Sequence, residues 1–243
     1  MQLELAVDPA QLRADEFPKI EAMYARMDAH QDIDPKQLVQ ESYDQIAERY
    51  LEWSQQDAHN AREQYVTLLL EELPAGASVL ELGCGAGVPA TQRLAQRFQV
   101  TGVDISARQL ELARQNVPQA HFFQADMAAL DLPPESYDGV LSLFAIFHVP
   151  RDEQPLLFQN IAAWLRPGGL LIATMGTQSS AGGVEDDWLG APMYWSTYDS
   201  ETNVRIVQEA GLDVVRAEIE TTEEFDETVS FLWIVARKPK AST

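Results

Sequence analysis

The chain has 243 residues, 46% hydrophobic and 23% charged, which suits one sizeable α/β domain or a domain with a small appendage. Its 17 basic against 38 acidic residues give a formal net charge of −21, which opposes binding to phosphate backbones and predicts no nucleic-acid partner. One cysteine, Cys84, excludes an internal disulfide, no Cys/His spacing resembles a metal site, and no uncharged apolar run would span a bilayer; the sequence therefore predicts a cytoplasmic protein with no metal and no membrane partner.

Residues 1–34 read as an N-terminal helical appendage, with apolar residues at Leu12, Phe17, Ile20, Met23, Tyr24 and Met27. A second helix is expected after Pro35 and a third through AREQYVTLLLEEL, ending at the turn PAGA. From Ser78 short apolar runs alternate with helical stretches, the pattern of βαβ units feeding a mostly parallel sheet. Strands are predicted at SVLEL, QVTGVDI, AHFFQA, YDGVLSLFA and GLLIATM, with helices near 88–97, 106–115 and 153–165. A long connection follows over 176–199, then a helix from Glu201 to Ala210 and two strands near LDVVRAEIE and TVSFLWIVARK that pair at one edge.

The sharpest feature is VLELGCGAG, residues 79–87, where a strand runs through a glycine-rich turn into a helix. Glycines at 83, 85 and 87 allow a tight turn and close approach of a ligand to the backbone. A dinucleotide fingerprint would place its third glycine where Val88 stands, which argues against NAD. Glu81 ahead of the loop would repel a pyrophosphate and suits a cationic, amine-bearing ligand such as S-adenosyl-L-methionine (SAM).

The run E-L-G-C-G-A-G resembles the first motif of class I SAM-dependent methyltransferases, and the similarity extends over roughly residues 41–175. The resemblance implies an α/β, Rossmann-like fold: a seven-stranded, mostly parallel sheet with helices on both faces and an N-terminal helical cap. It also implies a methyltransferase domain over 35–243 with an acceptor-side insertion at 176–199, and SAM as cofactor with S-adenosyl-L-homocysteine as product. Glu81, Gly83, Cys84, Gly85 and Gly87 would form the cofactor loop. Asp104, 21 positions after Gly83, would hold the ribose hydroxyls beside Ile105, while Asp126 and Met127 would hold and line the adenine.

Tyr43 would place an aromatic ring near the sulfonium or pack in the core, while Tyr50, seven residues on along the same helix face, and Trp53 read as packing. His148 follows the fourth strand at the carboxyl edge of the sheet and is the candidate base and acceptor contact. Trp188, Met193, Tyr194, Trp195 and Tyr198 crowd the connection after the fifth strand, and the first four are the expected acceptor-binding residues; Gly182 and Gly183 would allow a hinge there. The predicted activity is methyl transfer to a small organic acceptor on O, N, S or C. The alternatives are a protein methyltransferase, whose acidic surface would attract a basic peptide, and a non-catalytic SAM-binding protein.

Overall fold

The structure, a computed structural model, describes residues 34–56, 60–224 and 227–240. The expected helix within residues 1–33 lies outside the described residues.

Seven strands form one sheet: β1 (Ser78–Leu82), β2 (Gln99–Asp104), β3 (His121–Gln124), β4 (Tyr137–Ser142), β5 (Leu165–Gly176), β8 (Asp213–Glu224) and β9 (Glu227–Arg237). Their spatial order is β3-β2-β1-β4-β5-β9-β8. The first five are mutually parallel, and β9 joins β5 antiparallel with β8 beyond it. The predicted mostly parallel α/β sheet with a closing hairpin is therefore the observed one. The chain leaves β1 in opposite directions toward β2 and β4, so a crevice opens at the carboxyl ends of those strands, where doubly wound sheets bind ligands.

Both faces of the sheet are buried, which is why its strands read as continuous apolar runs. On one face Leu80, Leu82, Val140, Ala173 and Ile234 pack with Leu157, Phe158 and Ile161 of α5 (Gln154–Trp164) and with Val207 of α6 (Ser200–Glu209). On the other, Val79, Val100, Leu141, Ile172 and Val235 meet Tyr65, Val66 and Leu69 of α2 (Asn60–Glu72) and Leu94 of α3 (Ala90–Leu94). Tyr65 stacks on Trp233, ring centroids 4.4 Å apart and planes within 7°.

Two segments depart from expectation. The fourth strand stops at Ser142, because Phe144 adopts a left-handed backbone (φ +56°) that turns the chain out of the sheet. The connection after β5 is a separate antiparallel hairpin, β6 (Ser180–Trp188) and β7 (Ala191–Thr197). It was unreadable as strand because β6 is almost wholly exposed and rich in Gly, Ser and Asp, leaving no in–out alternation. Gly182 and Gly183 lie inside β6, and a Cβ on Gly182 would collide with the Tyr194 ring, so this glycine serves packing within the hairpin.

Helix α1 (Pro35–Gln56) starts on a proline whose missing N–H costs nothing at a helix N-terminus. It is fastened to the hairpin through Ser42 to the Pro192 carbonyl and Gln45 to the Gly190 carbonyl (3.1 Å). It is also fastened to α4 (Ala107–Asn116), where the Asp44 carboxylate accepts from Ser106 Oγ at 2.6 Å and from Arg108 N at 3.0 Å. Leu38, Val39 and Ile46 complete the seal against Met193 and Tyr194. The helix is thereby held as a cover over the crevice. Among the described residues no helix is long and apolar enough to cross a membrane.

Candidate active site

A cleft of about 1010 Å³ lies beneath α1, at the carboxyl ends of β1, β2 and β4. Its floor is the loop after β1. Gly83 (φ +74°) cannot carry a side chain, because a Cβ would collide with Ala145. Gly85 (φ +52°) differs: a Cβ there would point toward the cleft, with Gln109 Oε1 at 3.7 Å and Tyr50 at 3.9 Å, so its bare backbone is what leaves room for a ligand. Gly87 (φ +77°) does not line the cleft. A Cβ there would press on Ala113 and Val117 at 3.4 and 3.2 Å, so this glycine lets the loop pack on α4, a correction to the expected ligand contact.

Asp104 ends β2 and holds the loop in shape. Its Oδ2 accepts from Gly85 N at 2.8 Å and its Oδ1 from Ser106 N at 2.9 Å. Each oxygen keeps a second lone pair for a ligand hydroxyl. Burial pushes its carboxyl up to about 6, against the pull of those two N–H groups. Glu81, 4% exposed, accepts from Thr91 Oγ1 at 2.6 Å. Burial pushes Glu81 to about 7, only partly relieved by Thr91 and by the positive charge of Arg62. Two carboxyls with weakened acidity on one cleft wall are poised to ionise when a cationic or hydroxyl-bearing ligand arrives.

Cys84, Ile105, Asp126 and Met127 also line the cleft. Burial raises the Cys84 thiol well above its usual range, leaving it a neutral apolar wall. Asp126 caps the short turn Met127–Ala129 through Ala128 N at 2.9 Å, and its other oxygen accepts from Lys36 Nζ at 2.7 Å. Lys36, which also pairs with Glu153, ties the start of α1 to this end of the cleft.

Gln109 was not foreseen. It is 1% exposed and lines the cleft, and both its amide nitrogen and its amide oxygen are buried without a hydrogen-bond partner. An unpaired buried amide beside an open glycine backbone and two carboxylates fits a ligand that carries both donors and acceptors, as the amino-acid and ribose portions of SAM do.

A second cavity, about 360 Å³, adjoins the first and shares Tyr43, Tyr50, Arg62, Phe144 and His148 with it. Trp53, Phe147, Trp188, Trp195 and Phe231 complete its walls. Trp188 and Trp195 are thus where the sequence expected acceptor contacts. Met193 and Tyr194 are not: Met193 is fully buried and Tyr194 nearly so, and both seal β7 onto α1. Tyr198 packs with the main core, under the guanidinium of Arg151 at 5.2 Å.

His148 stands at the junction of the two cavities. Its Nδ1 lies 2.9 Å from the Tyr194 carbonyl, which can only accept, so Nδ1 carries the proton. Nε2 then accepts from the Tyr43 hydroxyl, also at 2.9 Å. Burial lowers the imidazole to about 4 and raises the Tyr43 phenol well above its usual range, so both are neutral at physiological pH. Among the described residues no group of three or more His, Cys, Asp or Glu is placed to hold a metal ion.

Residues 79–169 match the methyltransferase domain family. Over that span the chain is similar to methyltransferase domains. The matched span begins at β1 and ends within β5, so it contains Glu81, the glycine loop, Asp104, Asp126 and His148. A trans-aconitate 2-methyltransferase from Paracidovorax citrulli is 40% identical over 106 residues, 42% of this chain and 40% of that protein. A ubiquinone biosynthesis O-methyltransferase from Vibrio cholerae is 29% identical over 151 residues, covering 58% of this chain and 60% of that protein. The chain thus spans about two fifths to three fifths of these relatives. In fold it is similar to a SAM-dependent methyltransferase from Methanosarcina mazei (TM-score 0.63, 15% identity, 71% of this chain and 97% of that one).

Proposed function

We propose that the protein transfers a methyl group from SAM to a small organic acceptor. The observation that carries this reading is the pair of adjoining cavities, one floored by the glycine loop and two carboxyls, the other walled by aromatic rings, with a shared boundary at Tyr43 and His148. In this reading Asp104 binds the ribose hydroxyls, Glu81 the amino group, Gln109 the remaining polar atoms of the amino-acid end, and Asp126 with Met127 the adenine. Bound SAM supplies an electrophilic methyl group already activated by its sulfonium.

The chain's own work is then alignment and exclusion of water. Tyr43, Tyr50 and Trp188 form a cluster with ring centroids 5.3–5.9 Å apart that shields the boundary and offers aromatic faces to a positive centre. Where the acceptor must lose a proton, the Tyr43 hydroxyl passes it to His148 Nε2, the only ring nitrogen with a lone pair in this tautomer. An imidazole held near 4 is a weak base, so its contribution belongs at the lower end of the ~10²- to 10⁴-fold range for such groups. The small size and aromatic walls of the second cavity favour a small acceptor over a peptide, and relatives named for trans-aconitate and ubiquinone biosynthesis support that choice.

The test is transfer of labelled methyl from SAM into a cell extract separated into small-molecule and macromolecular fractions. Label in the small-molecule fraction, lost with Asp104→Ala, supports the proposal. Label confined to protein would replace it with a protein methyltransferase, and SAM binding with no transfer anywhere would replace it with a non-catalytic binding role.

A further inference from the structure

An aromatic box at a methyl-transfer site ordinarily suits a cationic acceptor, since ammonium groups are held over ring faces. This box contains a cation already. Arg62 projects from α2 into the boundary of both cavities, its guanidinium carbon 4.9 Å above the centre of the Phe144 ring. It is the one permanently charged side chain among the described residues that wall the aromatic cavity, because His148 there is neutral. With the cofactor's sulfonium at the boundary and Arg62 in the wall, a further positive charge on the acceptor would be repelled.

The guanidinium is also incompletely satisfied. Its Nε is buried and has no hydrogen-bond partner. Arginine does not shed its proton, so the cost of that buried donor is relieved only by an acceptor brought in by a ligand. Its positive charge increases the acidity of Glu81, which is assigned to the cofactor's amino group. Phe144, which supports the guanidinium from below, does so from a strained left-handed backbone of the kind that clusters at ligand sites.

We infer that Arg62 receives a carboxylate of the methyl acceptor, so that the acceptor class is an apolar or aromatic acid and not an amine. The planar fork of the guanidinium matches a carboxylate in bidentate fashion, and the rings around it accommodate the acid's hydrocarbon body. The cofactor's own carboxylate offers the same chemistry, but Arg62 also walls the aromatic cavity on the acceptor's side. The inference rests on the chain being a small-molecule methyltransferase.

The experiment is calorimetric titration of the full chain, saturated with S-adenosyl-L-homocysteine, with phenylacetate, phenylpropionate and hexanoate and with their uncharged amides. The acids are expected to bind about tenfold or more tighter than the amides, the size of one charge-assisted hydrogen-bond pair. Arg62→Gln is expected to cut that preference to about twofold or less, and Arg62→Lys to keep part of it, while both variants hold S-adenosyl-L-homocysteine within about threefold of the parent. Equal binding of acids and amides by the parent overturns the inference. So does an Arg62→Gln protein that loses tenfold in S-adenosyl-L-homocysteine affinity yet keeps the acid preference, since Arg62 would then serve the cofactor's carboxylate. Failure of the parent to bind S-adenosyl-L-homocysteine at all would overturn the methyltransferase reading itself, and the inference with it.

Discussion

Glu81→Gln separates a ligand-binding carboxylate from a structural one. Glu81 is fully enclosed and held near 7 by burial, while Asp104 is held near 6. If Glu81 ionises to receive the amino group of the cofactor and Asp104 to receive its ribose, both must be deprotonated in the complex. At pH 6 roughly nine tenths of Glu81 and about half of Asp104 are protonated, so binding must expel roughly one to one and a half protons. The cost relative to pH 8 is about 2 kcal/mol, so affinity for S-adenosyl-L-homocysteine should rise roughly ten- to thirtyfold from pH 6 to pH 8. Glu81→Gln should bind about ten- to a hundredfold more weakly at pH 8, having lost a charge-assisted bond, but with a pH slope of only about twofold. Calorimetry at pH 6 in buffers of different ionisation enthalpy reads the released protons directly, and about half a proton should remain in the variant. An unchanged pH slope and proton count in Glu81→Gln would refute the assignment of Glu81 to the ligand.

Other perturbations follow from the same geometry. Gly83→Ala meets both a left-handed backbone and Ala145, so it should lower the thermal midpoint by a shift worth about 2–4 kcal/mol, whereas Gly85→Ala should cost about 1–2 kcal/mol of stability and act mainly by weakening cofactor affinity in the same titration. His148 has a folded pKa below its unfolded one, so the unfolded chain takes the proton first as pH falls; its contribution is fully present above about 6.5 and is lost as pH falls to about 4. Urea unfolding should therefore show a difference between the parent and His148→Gln that changes by about 3 kcal/mol between pH 7 and pH 4, while Glu81 and Asp104, whose shifts run the other way, contribute equally to both proteins. Methyl transfer to the small-molecule fraction should continue in excess chelator, since the sulfonium is activated without a Lewis acid; abolition of transfer, restored by a divalent cation, would contradict this.

The floor of the larger cleft was legible because its chemistry is local. Glu81, the glycine loop and Asp104 sit at strand ends whose apolar runs announce them, and the backbone geometry required at Gly83 and Gly85 is written in the residue type. Gly87 was legible as a turn glycine but not in its purpose, because Ala113 and Val117 reach it only after α4 folds back. Arg62 and Gln109 were missed because each looks like an ordinary polar residue of an amphipathic helix until packing buries it. The hairpin β6–β7 was missed for a different reason: its pairing is a backbone property that β6, exposed along most of its length, does not express in hydrophobic alternation. Consequently Met193 and Tyr194 were assigned to the acceptor when their burial against α1 makes them structural.

In the proposed reaction one cavity holds the cofactor and directs its reactive sulfur at the other. A crystal structure of the complex with S-adenosyl-L-homocysteine tests it most directly. The ribose hydroxyls are expected on Asp104, the amino group on Glu81, and the sulfur facing the aromatic cavity across Tyr43. A ligand seated with its sulfur turned away from Tyr43 and Trp188, or with its ribose elsewhere than on Asp104, would contradict it.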